Sequence, residues 1–112
     1  MIEIIEVLAL QEYTTSGRSA EITLRDISVG NFFVDVTVDN GTTLDLKVQI
    51  SPETSPTETD WYDVPGGAFP QITATGKLEV IPFTNLGNKI TIKYTIVGTS
   101  FTFGVKVKSS FG

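Results

Sequence analysis

Apolar and polar residues alternate with period two through most of this chain, and that pattern restricts it to strands with one buried and one wet face. Phe32, Val34, Val36 and Val38 share one parity, while Phe33, Asp35, Thr37 and Asp39 share the other. The pattern resumes with Leu44, Leu46, Val48 and Ile50 against Asp45, Lys47 and Gln49. It returns at Ile90, Ile92, Tyr94 and Ile96, and then on the other parity at Phe101, Phe103, Val105 and Val107.

Turn chemistry between these runs suggests two local hairpins. Asp39-Asn40-Gly41 separates the first pair. A two-residue Asn-Gly loop would send the two apolar sets to opposite faces. A three-residue loop with Gly41 left-handed instead pairs Val36 with Leu44, Val34 with Leu46 and Phe32 with Val48, giving one common core. In the second pair, a tight Gly98-Thr99 loop of type II′ sets Ile96 opposite Phe101, Tyr94 opposite Phe103 and Ile92 opposite Val105. Lys93, Lys106 and Lys108 then fall on the outer face.

Weaker strand signals cover residues 20–27, 71–75 and 78–83, with Pro82 marking a strand end. Residues 1–10 carry Ile2, Ile4, Ile5, Val7 and Leu8 on no single face. They read as an edge strand with a bulge, or as an arm that orders against a neighbour. Residues 51–59, SPETSPTET, contain two prolines and no apolar side chain, which describes a solvated loop. About seven to nine short strands with regular turn signals predict an all-β fold, an antiparallel β-sandwich with jelly-roll-like connections. With 112 residues the expectation is a single domain over 1–112.

Composition removes several classes of chemistry. The chain has neither cysteine nor histidine, so thiolate chemistry, disulfides, serine–histidine triads and histidine or cysteine metal sites have no residues to build them. A net charge of −5 argues against nucleic acid as a partner. No apolar run approaches the roughly 20 residues of a bilayer-spanning helix, so no membrane partner is expected. The opening residues lack the basic stretch and cleavage site of a secretory signal, so export by that route is not expected.

The chain's one tryptophan lies in DWYDVPGGAF, residues 60–69. One reading makes Trp61 and Tyr62 a stacking platform for a sugar ring, with nearby carboxylates binding hydroxyls. The other makes Trp61 an inward core plug, with Tyr62 and Val64 outward as protein contacts and Pro65-Gly66-Gly67 supplying the turn. Glu53, Glu58, Asp60 and Asp63 lie close in sequence, but their spacing matches no calcium loop. A glycosidase needs two carboxylates across a cleft, which a short-looped sandwich does not offer. GTSFTFG lacks the lysine of a phosphate loop. No catalytic, cofactor or metal residues are therefore expected.

Further motifs are LDLKVQ at 44–49, Ser51-Pro52, WYDVPG at 61–66, ITATG at 72–76 and the closing pair YTIVGTSFTF at 94–103. In these the chain resembles small β-sandwich, head-associated (decoration or cement-type) proteins of tailed phages and prophages. The resemblance covers residues 44–107. It implies a non-enzymatic virion structural protein, made in the host cytoplasm, that binds the major capsid protein on the outer surface of the head. It also implies a homo-oligomer, with a trimer favoured. Ile2, Ile4, Ile5, Tyr62 and Val64 are the candidate partner-binding residues. The alternatives are a carbohydrate-binding module using Trp61 and Tyr62, or a tail or connector component of a virion.

Overall fold

The computed structural model describes residues 2–24, 28–85 and 88–110. Six strands form one hydrogen-bonded sheet: β1 (Ile2–Tyr13), β2 (Gly17–Arg18), β3 (Ser28–Ser51), β4 (Tyr62–Ala68), β5 (Gly76–Asn85) and β6 (Lys89–Ser110). A single turn of 3-10 helix, Glu58–Asp60, is the only helical element among the described residues.

The centre is an antiparallel ribbon of β3 and β6, of 24 and 22 residues. Extended at about 3.3 Å per residue, β3 alone would span roughly 80 Å. The longest dimension of the molecule is 40 Å, so the ribbon is doubled over. Its first layer holds β5, the start of β3, the end of β6 and β1, in that order; its second holds β4, the end of β3, the start of β6 and β2. Cut at the fold, the six strands make eight segments in two layers. The architecture is the expected antiparallel sandwich with jelly-roll-like doubling.

Neither expected hairpin is present. β3 continues as one strand through 39–41 and β6 through 98–99, and the two strands pair with each other from end to end apart from irregularities between Val36 and Thr43. Phe32 lies opposite Val107 and Val36 opposite Phe103, while Leu44 lies opposite Ile96 and Val48 opposite Ile92. Buried apolar residues of β3 keep even numbers throughout, but those of β6 change from even (Ile90, Ile92) to odd (Phe101 to Val107). Three register shifts between Val36 and Thr43, around the corner where Gly41 faces Gly98, leave a net displacement of one residue that absorbs that change. Gly98 has φ +99°, but Gly41 is not left-handed, contrary to the hairpin expectation. At this corner a Cβ on Gly98 would run into the backbone of Gly41 and Thr42, and one on Gly41 would run into the Phe101 ring.

The apolar sets of both layers meet in one core, with Phe32, Leu44, Ile90, Ile92, Phe101 and Phe103 fully buried. Tyr94 of the second layer and Phe103 of the first stand 5.7 Å apart, edge to face, and Tyr13 of β1 packs on both at 5.3 and 4.6 Å. Tyr94 and Phe103 thus touch across the sandwich instead of across a hairpin. Truncating a fully buried phenylalanine such as Phe103 costs about 3–5 kcal/mol.

Three weaker expectations change. Residues 20–24 and 71–75 form no strands; each contributes one bridge, Ile22 to Ile90 and Ile72 to Leu44, with the isoleucine buried. The expected strand end at Ile27 lies outside the described residues. Pro82 sits within β5 opposite Asn31 and does not end it, which is tolerated because β5 is an edge strand whose outer side needs no N–H. β1 pairs with β6 from Ile2 to Tyr13 and carries two register shifts, after Glu6 and after Leu8. Its Leu8 is buried, and Ile5, Val7 and Tyr13 lean on the core.

Candidate interaction surfaces

Trp61 is not the expected core plug. It is half-buried on the outer side of the second layer, where the Arg18 guanidinium lies 5.0 Å from the ring centroid. The reason lies in the outer face of β3 and β6. Gln49 of β3 and Thr91 of β6 point outward from paired positions, yet both are buried. Arg18, one strand over in β2, covers them: its Nη1 donates to Gln49 Oε1 and, at 2.9 Å, to Thr91 Oγ1.

The other edge of the same guanidinium donates to Glu58, from Nη2 to Oε1 at 2.8 Å and from Nε to Oε2 at 3.2 Å. Gln49 passes the chain on by donating Nε2 to Asp63 Oδ1 at 2.6 Å, and Lys47 pairs with Asp63 at 3.0 Å. Residues 58–63 are thus clamped to the sheet through Arg18 and Gln49, with Trp61 laid over the guanidinium. The expected free loop is anchored at its C-terminal end. Asp60 closes the small turn by accepting from Thr57 N at 2.7 Å and Thr57 Oγ1 at 3.0 Å.

These bonds assign Glu58, Asp60 and Asp63 among the clustered carboxylates. The forked bond from Arg18 holds Glu58 below its ordinary pKa, and bonds from Gln49 and Lys47 do the same for Asp63. Each is committed to a cation or an amide, and among the described residues no group of acidic side chains is arranged to hold a metal ion. Arg18 and Gln49 were not singled out from sequence, because nothing local marks them. Gln49 sits in ordinary alternation, and its cover comes from residues distant in the chain.

The outer face of the first layer is different in kind. Ile2, Ile4, Leu10, Val29 and Phe33 are exposed there, Ile2 at 61% and Ile4 at 66%. The register sets Ile4 opposite Lys108 and Glu6 opposite Lys106, with Phe33 on the other side of Lys106. A shallow groove of about 740 Å³ is lined by Ile2, Val29, Phe33, Val64, Pro65 and Pro82. A smaller one of about 400 Å³ lies over Gly104, between Leu10 and Phe33. Ile2 and Val64, distant in sequence, thus border one groove. Ile5 and Val64 are partly buried against the core and offer less surface than Ile2 and Ile4. Tyr62, paired with Ile50 at the start of β4, is 63% exposed and lies apart from this face.

No protein-family profile matches the chain. No curated protein matches it either. Among solved structures it is similar to a chain in the structure of infectious bursal disease virus, Gx strain, at 15% identity and a TM-score of 0.48. That likeness covers 97% of this chain and 31% of the viral one, so the chain spans about a third of the protein it is similar to.

Proposed function

We propose that this chain is a non-enzymatic structural protein of a phage virion, a decoration or cement component that binds the outer surface of the head through the outer face of its first layer. The observation that carries it is the exposed apolar set Ile2, Ile4, Val29 and Phe33 on one sheet face, three of which, Ile2, Val29 and Phe33, line a groove with Asn31, Thr84, Lys108, Ser109 and Ser110 among its polar residues. Exposed apolar side chains gathered on one sheet face mark protein contact more often than small-molecule chemistry. The motifs at 44–103 that resemble head-associated proteins supply the kind of partner, the major capsid protein.

The alternatives have less behind them. A glycan platform at Trp61 loses the ring face that Arg18 occupies. Catalysis by the clustered carboxylates would require Glu58 and Asp63 to leave their cations.

The test is composition and rebinding. Particles purified from the source virus contain the chain, detected by mass spectrometry, and immunogold label falls on the head. Recombinant protein rebinds particles lacking it, while Val29→Asp with Phe33→Asp abolishes rebinding without lowering the melting temperature. Absence from particles removes the proposal, and label confined to the tail moves the protein to a tail or connector role.

A further inference from the structure

We infer that two copies of this chain join through β1, pairing residues 2–6 antiparallel about a two-fold axis at Ile4, so that the first layer runs on from one copy into the next. This goes beyond the capsid-binding proposal and does not rest on it.

β1 ends the strand order of its layer, and among the described residues its one strand partner is β6. Its far side therefore presents main-chain donors and acceptors without a strand to meet them. Natural edge strands are blunted with charged side chains, lysine above all, with inward-pointing charges, with proline or with bulges. The stretch 2–6, IEIIE, has no lysine, proline or bulge, and both register shifts come after Glu6. Its edge-guarding charges are Glu6, exposed, and Glu3, which faces inward with Oε1 buried, so pairing there must keep these two carboxylates from meeting their copies. Further along, the Tyr13 hydroxyl donates to the Ala9 carbonyl at 2.8 Å, so the irregular part of the strand is partly occupied. The open, regular part is 2–6, and Ile2 and Ile4 stand exposed along it.

Side-chain parity and charge select the register. A two-fold axis perpendicular to the layer keeps outer faces on the same side, so each residue must oppose one of its own parity. Centring on Glu3 or Glu6 sets a carboxylate directly opposite its copy, which is destabilising. Centring on Ile5 needs Val7, beyond the first register shift, opposite Glu3. Centring on Ile4 sets Ile4 against Ile4, Ile2 against Glu6 and Glu3 against Ile5. No carboxylate then opposes another, and all five residues lie in the regular stretch. The contact is isologous, so it makes a dimer instead of the trimer expected from the resemblance.

The chain has no cysteine, which allows a clean test. Directly opposed residues in an antiparallel pair have Cβ atoms roughly 4.5–5.5 Å apart, within reach of a disulfide after slight adjustment. Ile4→Cys protein, incubated in a glutathione redox buffer and run on non-reducing gels, should form covalent dimer at least tenfold faster than Val97→Cys or Val29→Cys. Both control sites are exposed, Val97 at 51% at the corner and Val29 at 49% on the outer face, against 66% for Ile4, a difference far smaller than the tenfold rate expected. Unmodified protein should show a concentration-dependent dimer in sedimentation, which Ile4→Lys removes while leaving the melting temperature in place. Equal rates for the three cysteines, faster linking at Val29, or a sedimentation monomer at all concentrations would each overturn the inference. A dimer that fails to bind particles would remove the capsid proposal and leave this one standing.

Discussion

Replacing Gly98 by alanine tests the doubled ribbon directly. At φ +99° an L-residue is strained, at about 1–2 kcal/mol. A Cβ there would also stand 2.5 Å from Thr42 N and 2.9 Å from Gly41 Cα. Both are main-chain atoms that cannot rotate aside, so the two strands must separate at the corner, an overpacking cost of about 1–3 kcal/mol. The sum is about 2–5 kcal/mol, a large part of the 5–15 kcal/mol typical of a domain. Gly66 provides the control: its φ is +73°, and nothing lies within 4 Å of the position a Cβ would take. Gly66→Ala therefore carries the conformational cost alone. Urea unfolding followed by far-UV circular dichroism should show Gly98→Ala losing at least 1 kcal/mol more than Gly66→Ala. Equal losses would mean that Gly98 sits in an open turn, as a local hairpin requires, and that the corner does not exist.

Three further outcomes follow from the second layer. Arg18→Ala leaves Gln49 Oε1 and Thr91 Oγ1 buried without their donor and should cost about 2–6 kcal/mol in urea unfolding, at about 1–3 kcal/mol for each orphaned group. Trp61→Ala should cost about 1–2 kcal/mol, the scale of a partly desolvated cation–π contact, and not the 3–5 kcal/mol of a core aromatic. Glu58 and Asp63 have pKa values lowered on folding, so their contribution is complete above the ordinary carboxylate range near pH 4 and is lost as pH falls through the lower folded values. Trp61 fluorescence should therefore change in acid below about pH 4, and Glu58→Gln should show the altered signal already at neutral pH.

What the sequence made legible was the facing of side chains, and what it hid was their partners. Alternation places Val36 and Leu44 on the core side whether they pair with each other in a hairpin or with Phe103 and Ile96 in a long ribbon. Asn-Gly and Gly-Thr turn signals then favoured the local solution. The discriminating fact, one-residue compensation between β3 and β6 at Gly41 and Gly98, is a relation between segments more than fifty residues apart. Trp61 failed for a related reason. Its place depends on Arg18, which reaches it only because β2 and the start of β4 flank the same ribbon.

The two outer faces treat charge in opposite ways, and that bears on which is free to bind. On the second layer Arg18, Lys47 and Lys93 all have carboxylate partners, so a visiting surface would have to displace interactions already made. On the first layer Lys106 and Lys108 are exposed and form no ion pair among the described residues, beside exposed Ile4 and Phe33. A partner approaching that face gains apolar burial and meets ammonium groups it can still pair. Exposed charges of this kind are screened by salt, whereas apolar burial is not. If the first layer is the contact, raising ionic strength from 0.05 to about 0.5 M should weaken particle binding only modestly in the native chain. Lys106→Gln with Lys108→Gln should remove that salt dependence, and Phe33→Asp should remove binding at every salt concentration. Binding that vanished in salt yet survived Phe33→Asp would assign the contact to the charged second layer.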